Sequence, residues 1–175
     1  MPTPERTTLP AIVAAARDLL EEGGPTKVSM QAVAERVGVR APSLYKRVRD
    51  RDALLQLVAE ATVDDLGTAL AASDHTLAGL ARAYRSFAHT HPEGFRHLYA
   101  SSPDLAPLQR ASAPVLQAAR EAVGEQRALD AARFVTAWAT GFVSMELAGA
   151  FRLGGDVDAA FEYGLTQLQA ALRRS

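Results

Sequence analysis

Apolar positions recur at helical spacing along nearly the whole chain, and no stretch sustains the alternation of a half-buried strand. Ile12, Ala15, Ala16, Leu19 and Leu20 share one face of a helix predicted over residues 9–22, which Gly23, Gly24 and Pro25 stop. A second helix is expected to begin at Ser29, whose hydroxyl suits the capping position. It turns Met30, Val33, Ala34 and Val37 inward and ends at Gly38. A short third helix is expected over residues 42–48, with Pro42 in its first turn, and a fourth runs from about Asp50 towards Leu70. Beyond a break at Ser73 and Asp74, one stripe carries Leu77, Leu80, Tyr84, Phe87 and His91, until Pro92 interrupts it. A short helix over 93–100, a Ser- and Pro-rich linker over 101–107, and helices over 108–123, 126–153 and 157–173 complete the pattern. The expectation is an all-α fold of about nine helices. Residues 8–57 form a three-helix domain that the fourth helix joins to a larger helical domain over 58–175.

Composition narrows the class without choosing a partner. With 19 basic and 20 acidic residues in a chain of 175, net charge is uninformative, but its distribution is not. Between positions 36 and 51 stand Arg36, Arg40, Lys46, Arg47, Arg49 and Arg51 against one acid, Asp50. There is no Cys, which excludes disulfides and thiolate chemistry and fits a reducing, cytoplasmic setting. The first nine residues lack the apolar core of a signal peptide. The longest apolar stretch, over 134–151, is broken by Thr136, Thr140, Ser144 and Glu146, so it reads as a helix buried in protein and not as a membrane span. Glu146 in so apolar a helix must be paired, placed at an edge or used. His89 and His91, two apart on a helix, point to opposite sides and should not share a metal. No catalytic triad order, phosphate loop or zinc-binding helix is present, so neither enzyme chemistry nor a cofactor is expected.

The segment from Ser29 to Leu55 holds the main chemistry. A support helix, a tight turn and a second helix crossing steeply make a helix-turn-helix. Ala34 is small enough for the crossing, Gly38 accepts the positive φ of the turn, and Val33, Val37, Val39 and Leu44 have the spacing of a small core. The outward set is then Arg40, Ala41, Pro42, Ser43, Tyr45, Lys46 and Arg47. Arg40 and Ser43 suit base edges in a major groove, and Ala41 suits a thymine methyl. Tyr45, Lys46, Arg47 and, at the start of the next helix, Arg51 suit phosphates, and the capping residue Ser29 is counted with them among the DNA-binding candidates.

These residues resemble the DNA-binding domain of TetR/AcrR-type regulators, with Ala34, Gly38, Val39, Leu44, Tyr45, Leu54 and Leu55 matching its pattern. Val48 stands for the usual Phe, Arg51 for the usual Lys, and Arg40 for the usual Ser or Thr after the turn. An Arg there favours guanine where a hydroxyl would be permissive. Downstream, AWATGFVSMELAGAF and HPEGFRHLY resemble a C-terminal subgroup with a Trp-His-Gly signature. Trp138 and Gly141 match it, and Thr140 stands in place of the His.

The resemblance implies that the C-terminal helices form a ligand pocket and a dimer interface. Tyr84, Phe87, His91, Phe95, Trp138, Phe142 and Met145 are the candidate pocket residues. Ala137, Gly141, Ser144 and Ala148, with Phe161, Leu165, Leu168 and Leu172 on the last helix, are the candidate dimer face. The expected protein is a homodimeric repressor on a palindromic operator in double-stranded DNA. A small, largely apolar effector would release it by tilting the fourth helix. A helical protein-interaction module, or a small-molecule carrier without specific DNA binding, is the alternative.

Overall fold

The structure is a computed structural model that describes residues 7–101 and 103–173. Nine α-helices account for most of them: α1 (Leu9–Gly23), α2 (Met30–Arg36), α3 (Ala41–Leu44), α4 (Arg51–Ala71), α5 (Leu77–Thr90), α6 (Pro92–Ala100), α7 (Leu105–Val123), α8 (Ala128–Leu147) and α9 (Val157–Leu172). Single 3-10 turns at Pro25–Lys27 and Glu125–Arg127 precede α2 and α8, and no strand occurs among the described residues. The fold is all-α.

Side-chain oxygens start several of these helices by accepting amide protons that have no partner in the first turn. Thr8 Oγ1 accepts from Ala11 N at 3.3 Å, Ser29 Oγ from Ala32 N at 3.1 Å, and Asp50 Oδ1 from Ala53 N at 2.8 Å. Asp156 Oδ1 serves both Asp158 N and Ala159 N, at 2.8 and 3.1 Å.

Three boundaries differ from the pattern-based expectation. The third helix is short, its regular part closing at Leu44 and continuing only as a turn. Helix α7 begins at Leu105, inside the expected linker, because a proline is tolerated in a first turn whose amides have no helical acceptor. Helix α8 stops at Leu147 and not near Leu153. Gly149 takes φ +63° there, while Gly149 N and Ala150 N reach back to the carbonyls of Glu146 and Met145, both at 2.9 Å. The earlier glycine is the stop, and Gly154 and Gly155 lie in the connection to α9.

The chain forms two compact units. One contains the chain through Asp64 together with His91–Pro107, and the other contains Asp65–Thr90 and everything from Leu108. Helix α6 therefore belongs with α1–α3 and the first part of α4, although its neighbours in sequence belong to the other unit. The first unit is centred on Ile12, Ala16, Leu20, Val28, Val33, Ala34, Leu44, Leu54 and Val58, each at most 1% exposed. In the second unit Ala78 and Ala81 of α5 meet Phe161 and Leu165 of α9, with Trp138 and Phe142 packed alongside.

Candidate nucleic-acid interface

Helix α2 ends in a closed turn that fixes where α3 begins. Gly38 has φ +73°, Gly38 N donates to Glu35 O at 3.1 Å, and Val39 N donates to Ala34 O at 2.9 Å. A Cβ at Gly38 would meet nothing within 4 Å, so it is the backbone conformation and not crowding that calls for glycine. Val33 and Leu44 are fully buried and Val37 and Val39 partly so, making the small core the spacing implied.

That core turns the predicted contact residues outward. Arg40, Pro42, Ser43, Tyr45, Lys46 and Arg47 are exposed and Ala41 is half-buried. Arg40, Ser43, Lys46 and Arg47 line a wide, shallow depression with Thr7, Gly38 and Val39. Not all of the local positive charge is available to a partner. Arg36 pairs with Glu22 at 2.9 Å and Arg49 with Asp50 at 2.7 Å. The Arg49 contact and, more strongly, the amide of Ala53 hold the Asp50 carboxyl below its ordinary range.

Two expected contact residues have structural work as well. The Ser29 hydroxyl accepts the cap bond of α2. Arg51 donates from Nε to the carbonyl of Val28 at 2.7 Å and from Nη2 to that of Pro25 at 2.5 Å. It ties the first turn of α4 to the segment entering α2, a structural role that the sequence reading of Arg51 as a phosphate contact did not include.

The expected pocket residues do not converge. His91 and Phe95 lie in the first unit, where Phe95 is 1% exposed. Trp138 and Phe142 pack on Phe161 of α9, with ring centroids 5.1 and 5.3 Å away. A Cβ on Gly164 would fall 2.6 Å from Trp138 Cζ2, so the indole lies directly on α9. Met145 faces outward at 49% exposure, and Phe87 is buried on α5 without lining the apolar cleft of the second unit. Tyr84 alone of that set lines the apolar cleft of the second unit. The other walls are Leu70 of α4, Leu77, Leu80 and Ala81 of α5, Val115 of α7, and Val135, Thr136 and Ala139 of α8. The Tyr84 hydroxyl lies 2.7 Å from Thr140 Oγ1, the position where the Trp-His-Gly signature would carry an imidazole.

The expected dimer face divides in two. Phe161, Leu165, Leu168 and Leu172 are at most 9% exposed, covered by the chain's own helices, so the α9 stripe is core and not an outer face. Ala137, Gly141 and Ser144 on α8 and Ala148 just past its end are all exposed, beside Phe134 and Met145.

Glu146 is paired. Arg85 of α5 grips both of its oxygens, also bonds Asp158 of α9 at 2.5 Å, and lies 4.8 Å from the Phe161 ring centroid. His89 Nε2 is 3.1 Å from Glu146 Oε2. The Arg85 hydrogen bond, helped by His89, holds the Glu146 carboxyl below its ordinary range against the opposing effect of burial.

Sequence reasoning missed how α6 is held in the first unit. Glu21 Oε1 and Oε2 accept from Gly94 N and Glu93 N at 2.8 and 3.1 Å, so one carboxylate caps α6 from α1. A Cβ at Gly94 would sit 2.9 Å from Glu21 Oε1, so any larger residue there would shift the carboxylate that caps the helix. Buried His97 donates from Nε2 to the Leu55 carbonyl at 3.1 Å. These partners are 42 to 73 residues apart, and no local pattern links them.

A short outward-facing α3 set by a closed turn on α2, over its own small core, defines a helix-turn-helix DNA-binding protein. Comparison with known proteins gives the family. Residues 12–58 match the family described as bacterial regulatory proteins, tetR family, and residues 77–168 match a tetracyclin repressor-like C-terminal domain. An uncharacterized HTH-type transcriptional regulator of Mycobacterium tuberculosis is 30% identical, over 98% of this chain and 84% of its own length. A possible TetR family transcriptional regulator from Streptomyces coelicolor A3(2) is 26% identical with a TM-score of 0.76, covering 95% of this chain and 99% of that one. A TetR point variant from Acinetobacter baumannii AYE, solved in complex with minocycline, is 27% identical with a TM-score of 0.73, over 96% and 97% of the two chains. The chain belongs to the TetR family of transcriptional regulators. It is a DNA-binding regulator and not an enzyme, and among the described residues no helix is long and apolar enough to cross a membrane.

Proposed function

We propose that the protein is a homodimeric repressor that reads a palindromic operator and leaves it when a small molecule enters the second unit. The observation that carries the reading is the outward set on and beside α3. Arg40 and Ser43 stand at the start of the helix, where side chains reach base edges, and Tyr45, Lys46 and Arg47 stand where phosphates pass. Arg40 occupies the N-cap position and is exposed, which lets its guanidinium reach a guanine edge.

The exposed small residues Ala137, Gly141 and Ser144 on α8 and Ala148 just past its end, flanked by Phe134 and Met145, support pairing with a second copy. Two recognition helices would then occupy major grooves about 34–36 Å apart. The apolar cleft supports a small, largely apolar effector. Release requires that this ligand favour the DNA-incompetent state, because equal affinity for both states shifts nothing.

Selection of bound sites from random duplex DNA at fixed salt tests the reading. One palindrome with a guanine facing Arg40 in each half-site is the expected result. Salt-dependent binding without any preferred sequence removes the operator. No binding at all leaves a helical protein-interaction module or a carrier in its place.

A further inference from the structure

A polar groove in the second unit lies outside the apolar cleft and shares only Leu77 with it. It runs between the α4–α5 connection and the last turns of α7 and α9. We propose that this groove binds a small zwitterion with an apolar side chain, of the α-amino acid class. The ammonium lies against Asp74 and Glu121, and the carboxylate against Arg173 and Gln169.

Size and surface fit such a molecule. The cavity volume is about 350 Å³, within the range of small-molecule sites. Its apolar surface comes from Leu77 of α5, Ala118 of α7 and Leu172 of α9, all buried, with Ala122 beside them. Around this stand two carboxylates, one guanidinium and one amide, from Asp74, Glu121, Arg173 and Gln169.

These charges are not spent on one another. Among the described residues Arg173 makes no ion pair, although two carboxylates line the same groove. Glu121 accepts from Gln117 through Oε1 at 2.8 Å, which leaves Oε2. Asp74 accepts from Thr76 N and Oγ1 through Oδ1, at 2.9 and 2.7 Å, which leaves Oδ2. The Thr76 bonds hold the Asp74 carboxyl below its ordinary range, so it is charged at neutral pH. A ligand of single charge would meet a like charge in the groove, whereas a zwitterion matches both signs. No three His, Asp or Glu side chains gather to hold an ion among the described residues, so the carboxylates suit an organic cation.

The acidic side is also set in advance. His75 is the one non-glycine residue with a positive φ among the described residues, at +61°. Its Nε2 donates to Ala71 O at 2.9 Å, and Ser73 Oγ accepts from its amide at 3.3 Å. With the Thr76 bonds, these contacts fix Asp74 before a ligand arrives.

The experiment follows backbone amide NMR shifts of the full chain at low salt and about pH 6.5, where an α-amine is protonated. The probes are L-phenylalanine, L-phenylalaninamide, which lacks the carboxylate, and N-acetyl-L-phenylalanine, which lacks the ammonium. Phenylalanine should saturate shifts at Thr76, Glu121 and Gln169 with a Kd of about 1 mM or below, and each derivative should bind at least about tenfold more weakly. Arg173→Gln should weaken phenylalanine at least about fivefold and leave the amide unchanged. Glu121→Gln should weaken phenylalanine as much and leave the N-acetyl derivative unchanged. Ala122→Phe fills the groove and should abolish binding. All three positions are exposed, and unchanged thermal midpoints without probe verify that the variants fold. Shifts that fail to saturate by about 20 mM phenylalanine overturn the proposal, as do shifts centred on Val135 and Ala139 of the apolar cleft. It also falls if either derivative binds as tightly as phenylalanine, or if Arg173→Gln and Glu121→Gln leave the affinity unchanged.

Discussion

Arg40 and Arg51 carry the same charge within one basic segment, and the fold uses them differently. Arg40 is exposed at the start of α3. Its replacement by alanine should cost about 1–3 kcal/mol of operator binding and relax preference at one base position per half-site, as read by competition between operator variants. The Arg51 guanidinium instead holds the carbonyls of Val28 and Pro25. Half-exposed as it is, Arg51→Ala should lower unfolding stability in urea by about 1 kcal/mol. If the urea midpoint stayed fixed while affinity fell equally for all sequences with a shallower salt slope, the phosphate role would take precedence. At Gly38 the expected effect is purely conformational. Alanine must adopt φ +73° there, so Gly38→Ala should cost about 1–2 kcal/mol in the same urea assay, with no neighbour to clash against.

Among the elements, those fixed by local signals were legible in the sequence. The end of α2 could be read because its stop, Gly38, and its inward residues lie within one short segment. The end of α8 could not, since periodicity alone does not say which of Gly149, Gly154 and Gly155 takes the capping conformation. The α9 stripe teaches a different lesson. Spacing showed that Phe161, Leu165, Leu168 and Leu172 would be covered, but a stripe does not reveal whether its cover comes from the same chain or from a second copy. The structure supplies the chain's own α5 and α8. The pocket residues failed for the same reason: Trp138 and Phe142 fill the contact with α9, and Tyr84 alone reaches the cleft. The capture of α6 by Glu21 was invisible because it joins distant segments. Glu21→Ala leaves two helix-start amides without their charged acceptor. It should speed hydrogen exchange at Glu93 and Gly94 and lower stability by about 1–3 kcal/mol.

For the whole molecule, the Arg85–Glu146 pair ties acid stability to one interior carboxylate. Hydrogen bonding from Arg85, then from His89, depresses the folded-state pKa of Glu146, and burial opposes this. A depressed carboxyl contributes stability that is fully present above the unfolded value of about 4.3 and is lost as pH falls through the lower folded value. Glu146→Gln should therefore be clearly less stable than wild type near pH 6, and the gap should narrow below about pH 4 in urea titrations. A gap independent of pH would assign the loss to packing alone.

Helix α6 also bears on how this protein could be cut and recombined. Because it is contributed to the first unit by a segment far downstream, the DNA-reading part of the molecule is not a continuous stretch of gene. A fragment ending near Asp64 would lack the buried Phe95 and His97 and leave the Glu21 carboxylate without its two amides. A hybrid regulator made by exchanging only the first third of the chain would pair one protein's α1 with another's α6. Such grafts should keep their specificity and their solubility only when residues 91–107 travel with the head they cap.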